Sequence, residues 1–447
     1  MNAPQPLFGE IYERGSARYE AARREAVWNE LKPDRFPQKI VRVAREEDVV
    51  NAVRLARREG LKVKAKGGGH SFTASHVRDG LLVDFTDYRE ITVDPVNRRA
   101  TVTPSVQGTE LNDRLREHGL FFPSGHCAGV GLGGYLLQGG FGWNGRELGP
   151  ACASLRAIDV VTAEGELLHS SDEENPEFVW AARGSGPGFF GVVTRFHLDV
   201  HPLPDAIAFS IYQYPMEVYE ALVPWFLETS AAAPRNVEPL LHAGQSPTSG
   251  EPSVDVMAMA FAAGQEEAEA ELAAFDAGPC LESAEIRSVA VPTTLNELYA
   301  MLEPALPAGH RYCVDGMWTE ASPAALTPEL HELFTSRPTA KSSVVLMPWA
   351  PTEVENGVFS LQADLYVSPM AIWEDEDDDD RCIRWPGEQM ERLEHLALGI
   401  QLADENLINR PAPFLAADRL ARLEELRTQL DPDGLFHGYL IGGAAAA

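Results

Sequence analysis

Lys66-Gly67-Gly68-Gly69-His70-Ser71 is the segment whose residue types first point to chemistry. Three successive glycines directly after a strand-like run let several backbone N–H groups turn inward as an anion nest suited to a pyrophosphate, with an imidazole beside it. A glycine triplet is also what a tight turn needs, so this segment alone decides nothing. A second segment shifts the balance. It reads Gly125-His126-Cys127-Ala128-Gly129-Val130-Gly131-Leu132-Gly133-Gly134, then Gly139-Gly140-Phe141-Gly142, and ten of the 25 residues from Gly125 to Gly149 are glycine. Glycine on that scale costs backbone entropy and suits a chain that adopts unusual dihedrals or approaches a ligand closely. Neither segment is a Walker loop, since no Gly-Lys-Ser/Thr follows, and neither places GxGxxG at a strand-to-helix turn. Cys127 is either a reactive thiol or a small buried one. His126 beside it either packs in the core, the reading we prefer, or lowers the pKa of that thiol.

Further along, VFSLQADLYVSP alternates strictly, placing Phe359, Leu361, Ala363, Leu365 and Val367 on one face and Ser360, Gln362, Asp364 and Tyr366 on the other. The polar row lines a pocket or meets water, and the pattern serves both. Tyr312 in GHRYCVDGMW and His242 in PLLHAGQ are further pocket candidates, each with a core-packing alternative that we prefer.

These residues need elements to position them. Lys39 to Lys66 reads as strand, helix, strand, with the amphipathic EEDVVNAVRLARREG closed by Gly60. Short strands follow in LLVDF, ITVDP and ATVTP, and Thr109 is expected to cap the helix ELNDRLREHG, which Gly119 ends. LRAIDVVTAEG, FVWAARGSGPGFFG and VVTRFHLDVHPLP read as strand, helix with a glycine-rich exit, and strand. A first domain thus spans residues 1–204. A second, 205–405, alternates helices near Glu217 to Thr229 and Glu266 to Ala274 with the strand-like VDVMAMAFA, SSVVLMPWA and VFSLQADLYVSP. The class is α+β. The last segment, 406–447, holds the helix AADRLARLEELRTQL, a strand-like FHGYL, and a terminal GGAAAA expected to be disordered.

Composition narrows the function. A net charge of −30, from 67 acidic and 37 basic residues, repels nucleic acid and anionic membrane. The densest acidic run, Glu374 to Asp380, is expected to be a solvated loop rather than a cation site. Five cysteines without CxxC or Cys/His spacing argue against a disulfide framework and a structural zinc site, so no metal is expected. The N-terminal stretch has no basic n-region before an apolar run, and no 18-residue apolar span follows; the expected compartment is the cytoplasm.

KGGGHSFTASHVRDGLLVDFTDYREITVDP, GHCAGVGLGGYLLQGGFG and GFFGVVTRFHLDVHPLP together resemble the FAD domain of the berberine bridge enzyme-like oxidoreductases, of the vanillyl-alcohol oxidase or p-cresol methylhydroxylase (PCMH) superfamily. The resemblance runs from residue 38 to 204 and returns in RLARLEELRTQLDPDGLFHGYL. It implies a two-domain, PCMH-type FAD-binding fold whose substrate domain is an antiparallel sheet with helices. It also implies covalent FAD: His70 bonded to the 8α-methyl carbon, and Cys127, in the matching Gly125, Cys127, Val130, Gly131 pattern, bonded to C6. The other FAD contacts it implies are Gly67, Gly68, Gly69 and Ser71 at the pyrophosphate, Gly131, Gly133 and Gly134 beside it, and Gly191 with Val193 at the adenine or flavin edge. The substrate-domain sheet covers the flavin in such enzymes, which makes Tyr366, Asp364, Gln362 and Tyr312 the candidate catalytic residues.

One departure stands out. The family's Tyr-x-Asn motif before the C-terminal helix is replaced by Gly399-Ile400-Gln401-Leu402-Ala403-Asp404-Glu405-Asn406, which leaves the base and the substrate class open, with Asp404 and Asn406 as candidates for the region's polar contacts to flavin or substrate. The implied function is an FAD-dependent oxidase taking hydride from an alcohol, amine or activated C–H of a carbohydrate or natural-product intermediate, with O2 reduced to H2O2. A dehydrogenase using another acceptor, or a flavoprotein scaffold for a non-redox cyclisation, are the alternatives. The partners expected are a small-molecule substrate and O2, with neither nucleic acid nor membrane.

Overall fold

A computed structural model of the chain describes residues 7–442; most of the terminal GGAAAA lies outside the described residues. In the helix Glu46–Glu59, Val49, Ala52, Val53 and Ala56 recur at helical spacing and are all buried, and Gly60 closes it in the left-handed conformation at φ 66°. The helix follows the strand Lys39–Arg42 in a four-stranded sheet ordered Glu10–Glu13, Lys39–Arg42, Leu81–Asp84, Val63–Lys66. The last three strands run parallel, and Leu81–Asp84, flanked on both sides, is buried along its whole length. A second, antiparallel sheet orders Ile91–Asp94, Arg99–Val102, Val192–Asp199, Leu155–Val161 and Leu167–Ser171.

Residues beyond 204 build one eight-stranded antiparallel sheet. Its order is Ile286–Thr293, Ala206–Pro215, Pro252–Ala262, Val237–Gln245, Ser343–Pro348, Leu365–Trp373, Arg311–Val314, with Met317–Thr319 also paired to Leu365–Trp373. Alternation assigns its faces. Val237, Leu241, Ala243, Val254, Val256, Val344, Leu346, Leu365 and Val367 join one core with the helices Tyr219–Ala232, Leu330–Thr335 and Asp379–Arg392. The opposite face looks at the first domain, and there Glu238 reaches the second glycine segment, accepting from the Asn144 amide at 2.8 Å.

The tail folds back. The helix Ala417–Leu430 is followed by Leu435 and Phe436, which bridge Val63 in parallel fashion: Val63 donates to the Leu435 carbonyl at 2.7 Å, and the His437 amide to the Val63 carbonyl at 3.0 Å. FHGYL is therefore a single bridge rather than a strand.

Three other expectations need correction. The strand in VFSLQADLYVSP begins at Leu365, and residues 358–364 are irregular, because the Trp349 amide and the Trp180 and Arg183 carbonyls take up the backbone of Asp364, Val358 and Phe359. Thr109 lies inside the helix Gly108–Arg116, which starts at Gln107, whose amide donates to Glu110 at 2.8 Å. The acidic run is solvated, with Glu374 to Asp377 and Asp380 exposed, but it is not all loop. Asp379 and Asp380 form the first turn of the helix Asp379–Arg392, where carboxylates offset the exposed amides, and Arg311 grips Asp379 through two bonds of 2.8 and 2.7 Å. Among the described residues, no helix is long and apolar enough to cross a membrane.

Candidate functional site

Strand Val63–Lys66 delivers the first glycine segment, and its last residue anchors the turn from below: Lys66 is buried and donates to Asp84 at 2.9 Å and to Thr86. The amides of Gly67 to Ser71 donate to no acceptor among the described residues, and the same holds for His126 to Gly129. Unpaired amides in succession are what a phosphate requires. The two segments touch. A Cβ on Gly68 would lie 2.5 Å from the Gly131 nitrogen, and one on Gly131 would lie 2.6 Å from the Gly68 nitrogen. Gly67 and Gly133 meet Pro104 as closely, at 2.7 and 2.8 Å. Gly134 is exposed, with its nearest neighbour 3.9 Å away. Gly191 packs on Val160, and the Val193 side chain lies in the first-domain core, which leaves only backbone at both positions for a nucleotide. The Ser71 hydroxyl accepts the Ser75 amide at 3.1 Å and shapes the turn.

His70 stacks on Trp28, with ring centroids 5.1 Å apart and 17° between planes, a contact the sequence did not announce. Its Nδ1 lies 3.1 Å from the Gly68 carbonyl. A carbonyl only accepts, so Nδ1 carries the hydrogen and Nε2 keeps its lone pair. Burial holds the imidazole pKa below its usual range, so the ring is neutral near pH 7. Cys127 is half-buried as a residue, yet burial of its sulfur, reinforced by the Asp404 carboxylate, pushes the thiol up to about 12. His126 does not lower that thiol: its Nε2 is bonded to Glu238, and its ring meets Trp143 edge-on at 4.4 Å.

The segment that departs from the family motif brings buried acids to the same region. Burial raises Asp404 to about 6 and Glu405 to about 7. Asp404 accepts from Gln401 at 2.9 Å and from Ser368 at 3.4 Å, while Glu405 accepts from the Thr73 hydroxyl and the Leu407 amide. Asp315 is fully buried and forms a two-pronged ion pair with Arg410, Nε to Oδ2 at 2.8 Å, while Asn406 donates to it at 3.1 Å.

The four predicted catalytic side chains do not converge. Gln362 is occupied by Trp349, whose indole N–H donates to it at 2.9 Å, and by the Thr352 carbonyl, to which it donates. Asp364 is exposed on the irregular stretch. The Tyr312 hydroxyl donates to the Pro307 carbonyl at 2.6 Å, and its ring packs on Trp28 at 4.8 Å. Tyr366 is buried against Trp318, its hydroxyl close to Gln401 and Asp404, and burial raises its pKa well above the usual tyrosine range.

Strand register assembles a different polar row. Gln213 pairs with Asp255, Asp255 with His242, His242 with Val345, and Val345 with Ser368. His242 lies on the face that carries Glu238, so the row looks toward the first domain. His242 Nδ1 is 3.1 Å from Asp255, whose other oxygen accepts from Gln213 at 2.9 Å. The neighbouring row is apolar: Met257, Leu240, Met347, then Tyr366. Sequence spacing hides this set, since 213, 242, 255 and 368 come from four strands; the lone sign was the alternation of His242 with Leu241 and Ala243.

A run of unpaired glycine amides beside a neutral imidazole, roofed by an antiparallel sheet, is an arrangement suited to a flavin nucleotide. Residues 37–171 match the model for the FAD binding domain. The chain is 33% identical over 428 residues to the FAD-linked oxidoreductase ptmO of Penicillium ochrochloron, covering 94% of this chain and 93% of that protein. Its fold is similar to that of 6-hydroxy-D-nicotine oxidase from Arthrobacter nicotinovorans, with a TM-score of 0.85 at 22% identity over 98% of this chain and 99% of the other. It is also similar to BBE-like 1 of Physcomitrella patens, with a TM-score of 0.82 at 18% identity over 98% of each chain. The chain belongs to the FAD-linked oxidoreductases, with the berberine bridge enzyme-like architecture, and is an enzyme of that class.

Proposed function

We propose that this enzyme oxidises an apolar alcohol or amine, a natural-product intermediate rather than a carbohydrate, and returns its electrons to O2 as an oxidase. The observation that carries the reading is the roof of the site: Met257, Leu240 and Met347 form an apolar row beside the row of Asp255, His242, Val345 and Ser368, in which Val345 separates His242 from Ser368. Few polar groups on an apolar wall suit a substrate that is largely hydrocarbon. Bound FAD supplies the two-electron acceptor. The protein supplies the rest. Gly67 to Ser71 would present amides to the pyrophosphate, and His70 and Cys127 would tether the cofactor, the neutral Nε2 of His70 being free for its bond and the Cys127 thiol giving up its proton to form the second. Asp255 accepts the Nδ1 hydrogen of His242, which leaves Nε2 to take the substrate O–H or N–H proton. Five free cysteines support a reducing, cytoplasmic compartment.

Anaerobic mixing of the yellow enzyme with a panel of apolar and sugar alcohols and amines, read as loss of flavin absorbance, tests the substrate class. Bleaching by sugars alone would overturn it. Timing reoxidation in air after dithionite reduction tests the oxidase: slow recovery would make the protein a dehydrogenase.

A further inference from the structure

Away from the flavin site, three side chains on adjacent strands of the five-stranded sheet share one face. Asp159 lies on Leu155–Val161, His169 on Leu167–Ser171, and His197 on Val192–Asp199. Asp159 is in register with His169 on one side and with Arg195 on the other, and His197 stands two residues on from Arg195, so its side chain returns to the same face. One ligand atom from each of the three lies within 4.8 Å of the other two. Asp159 Oδ1 is 2.8 Å from His169 Nδ1, Asp159 Oδ2 is 3.2 Å from His197 Nε2, and the two imidazoles meet edge to face at 5.3 Å.

His197 makes this more than a surface ion pair. Its Nδ1 is 3.0 Å from the Thr101 hydroxyl on the next strand. Its Nε2 is buried and makes no hydrogen bond, although a carboxylate oxygen lies 3.2 Å away. In the tautomer that donates Nδ1–H to Thr101, Nε2 directs a lone pair into the cluster. A ligating histidine is oriented in that way when its other nitrogen is bonded outside the site.

We propose that Asp159, His169 and His197 form a divalent transition-metal site with Zn2+ as its preferred occupant. Two imidazoles and one carboxylate are the donor set that suits this ion, whereas Ca2+ and Mg2+ require more oxygens. Zinc–ligand bonds of about 2.0–2.2 Å in a tetrahedron put ligand atoms roughly 3.2–3.6 Å apart, so a cluster whose ligand atoms lie within 4.8 Å of one another closes on the ion by side-chain adjustment. His169 is exposed, which leaves the fourth position to water. Bound metal would clip three strands of the FAD-binding domain at a point independent of the flavin chemistry. The sequence could not show this, because its ligands come from three separate strands.

Isothermal titration of the flavin-loaded, chelator-treated protein with ZnCl2 at pH 7.5 tests the site, with melting temperature as a second readout. One equivalent should bind with micromolar or tighter affinity and raise the melting temperature, and binding should weaken below pH 6 as the imidazoles protonate. His169→Ala and His197→Ala should each weaken binding at least tenfold while the flavin spectrum is kept. Thr101→Val, which touches no metal, should weaken it about 10- to 100-fold. No stoichiometric binding, or undiminished binding by the His169→Ala/His197→Ala double variant, would overturn the proposal. Since His169 is exposed, its variant remains informative if the His197 variants fold poorly.

Discussion

Replacing Gly68 with alanine tests the contact on which the nest depends. The added Cβ would sit 2.5 Å from the Gly131 nitrogen and 2.9 Å from its Cα. Both are backbone atoms, so no side chain can swing aside. Comfortable carbon contacts lie near 3.5–4.0 Å, so the two glycine segments must part by roughly 1 Å. Overpacking of this kind costs about 1–3 kcal/mol. Expressed as weaker FAD affinity, that is roughly 5- to 150-fold, at 1.4 kcal/mol per factor of ten. Expressed as stability of a domain of this size, it is on the order of 2–10 °C. Flavin content follows from the ratio of visible to protein absorbance after purification, and stability from a melt of the same sample. Gly131→Ala should behave alike, because its Cβ would reach 2.6 Å from the Gly68 nitrogen, and the two effects should not add. Gly264→Ala is the control. Nothing lies within 4 Å of its added Cβ, its backbone is extended, and it stands in the other domain ahead of the helix Gln265–Leu272. Full flavin content and an unchanged melt in Gly68→Ala would refute the close approach.

Mass spectrometry of tryptic peptides checks the tethers: His70→Ala should keep flavin on the Cys127 peptide, Cys127→Ala on the His70 peptide, and the double variant should release it in acid. An unmodified Cys127 peptide in the wild type would remove the sulfur bond. Glu405 titrates near 7 in the fold against 4.5 outside it, so the folded state holds the extra proton. Stability should therefore fall as pH rises from about 4.5 to 7, and Glu405→Gln should recover up to about 3 kcal/mol at pH 8 but almost nothing at pH 4. Equal melting of variant and wild type at pH 8 would refute the assignment. Arg410→Met strands the buried Asp315 carboxylate and should cost about 3–5 kcal/mol in denaturant unfolding, part of which Arg410→Met/Asp315→Asn restores. A loss below 1 kcal/mol would mean that water reaches the pair.

The base is where reading by sequence and reading by structure part. Alternation in VFSLQADLYVSP placed Gln362, Asp364 and Tyr366 on one face, and the period was right only from Leu365 onward. The residues before it are held by Trp349, Arg183 and Trp180, distant in sequence, and period-2 spacing carries no trace of such competition. His242 was visible only as a histidine among apolar residues; its orientation by Asp255 exists because two strands pair in that register.

Local information by itself determined the helix Glu46–Glu59 with its Gly60 stop, the strand-turn leading to His70, and the two glycine segments, since periodicity, capping and glycine's freedom act within a few residues. It also implied flavin, because the order of the GGGHS and GHCAGVG segments carries the family's signature. Tertiary structure alone decided that Gly68 and Gly131 meet backbone on backbone, that His126 belongs to Glu238, and that Glu405 and Asp315 are buried with the half-buried Asp404 near them. The reason is physical: burial, register and long-range pairing are set by strands and loops far apart in the chain, and they decide the protonation and aim of each side chain.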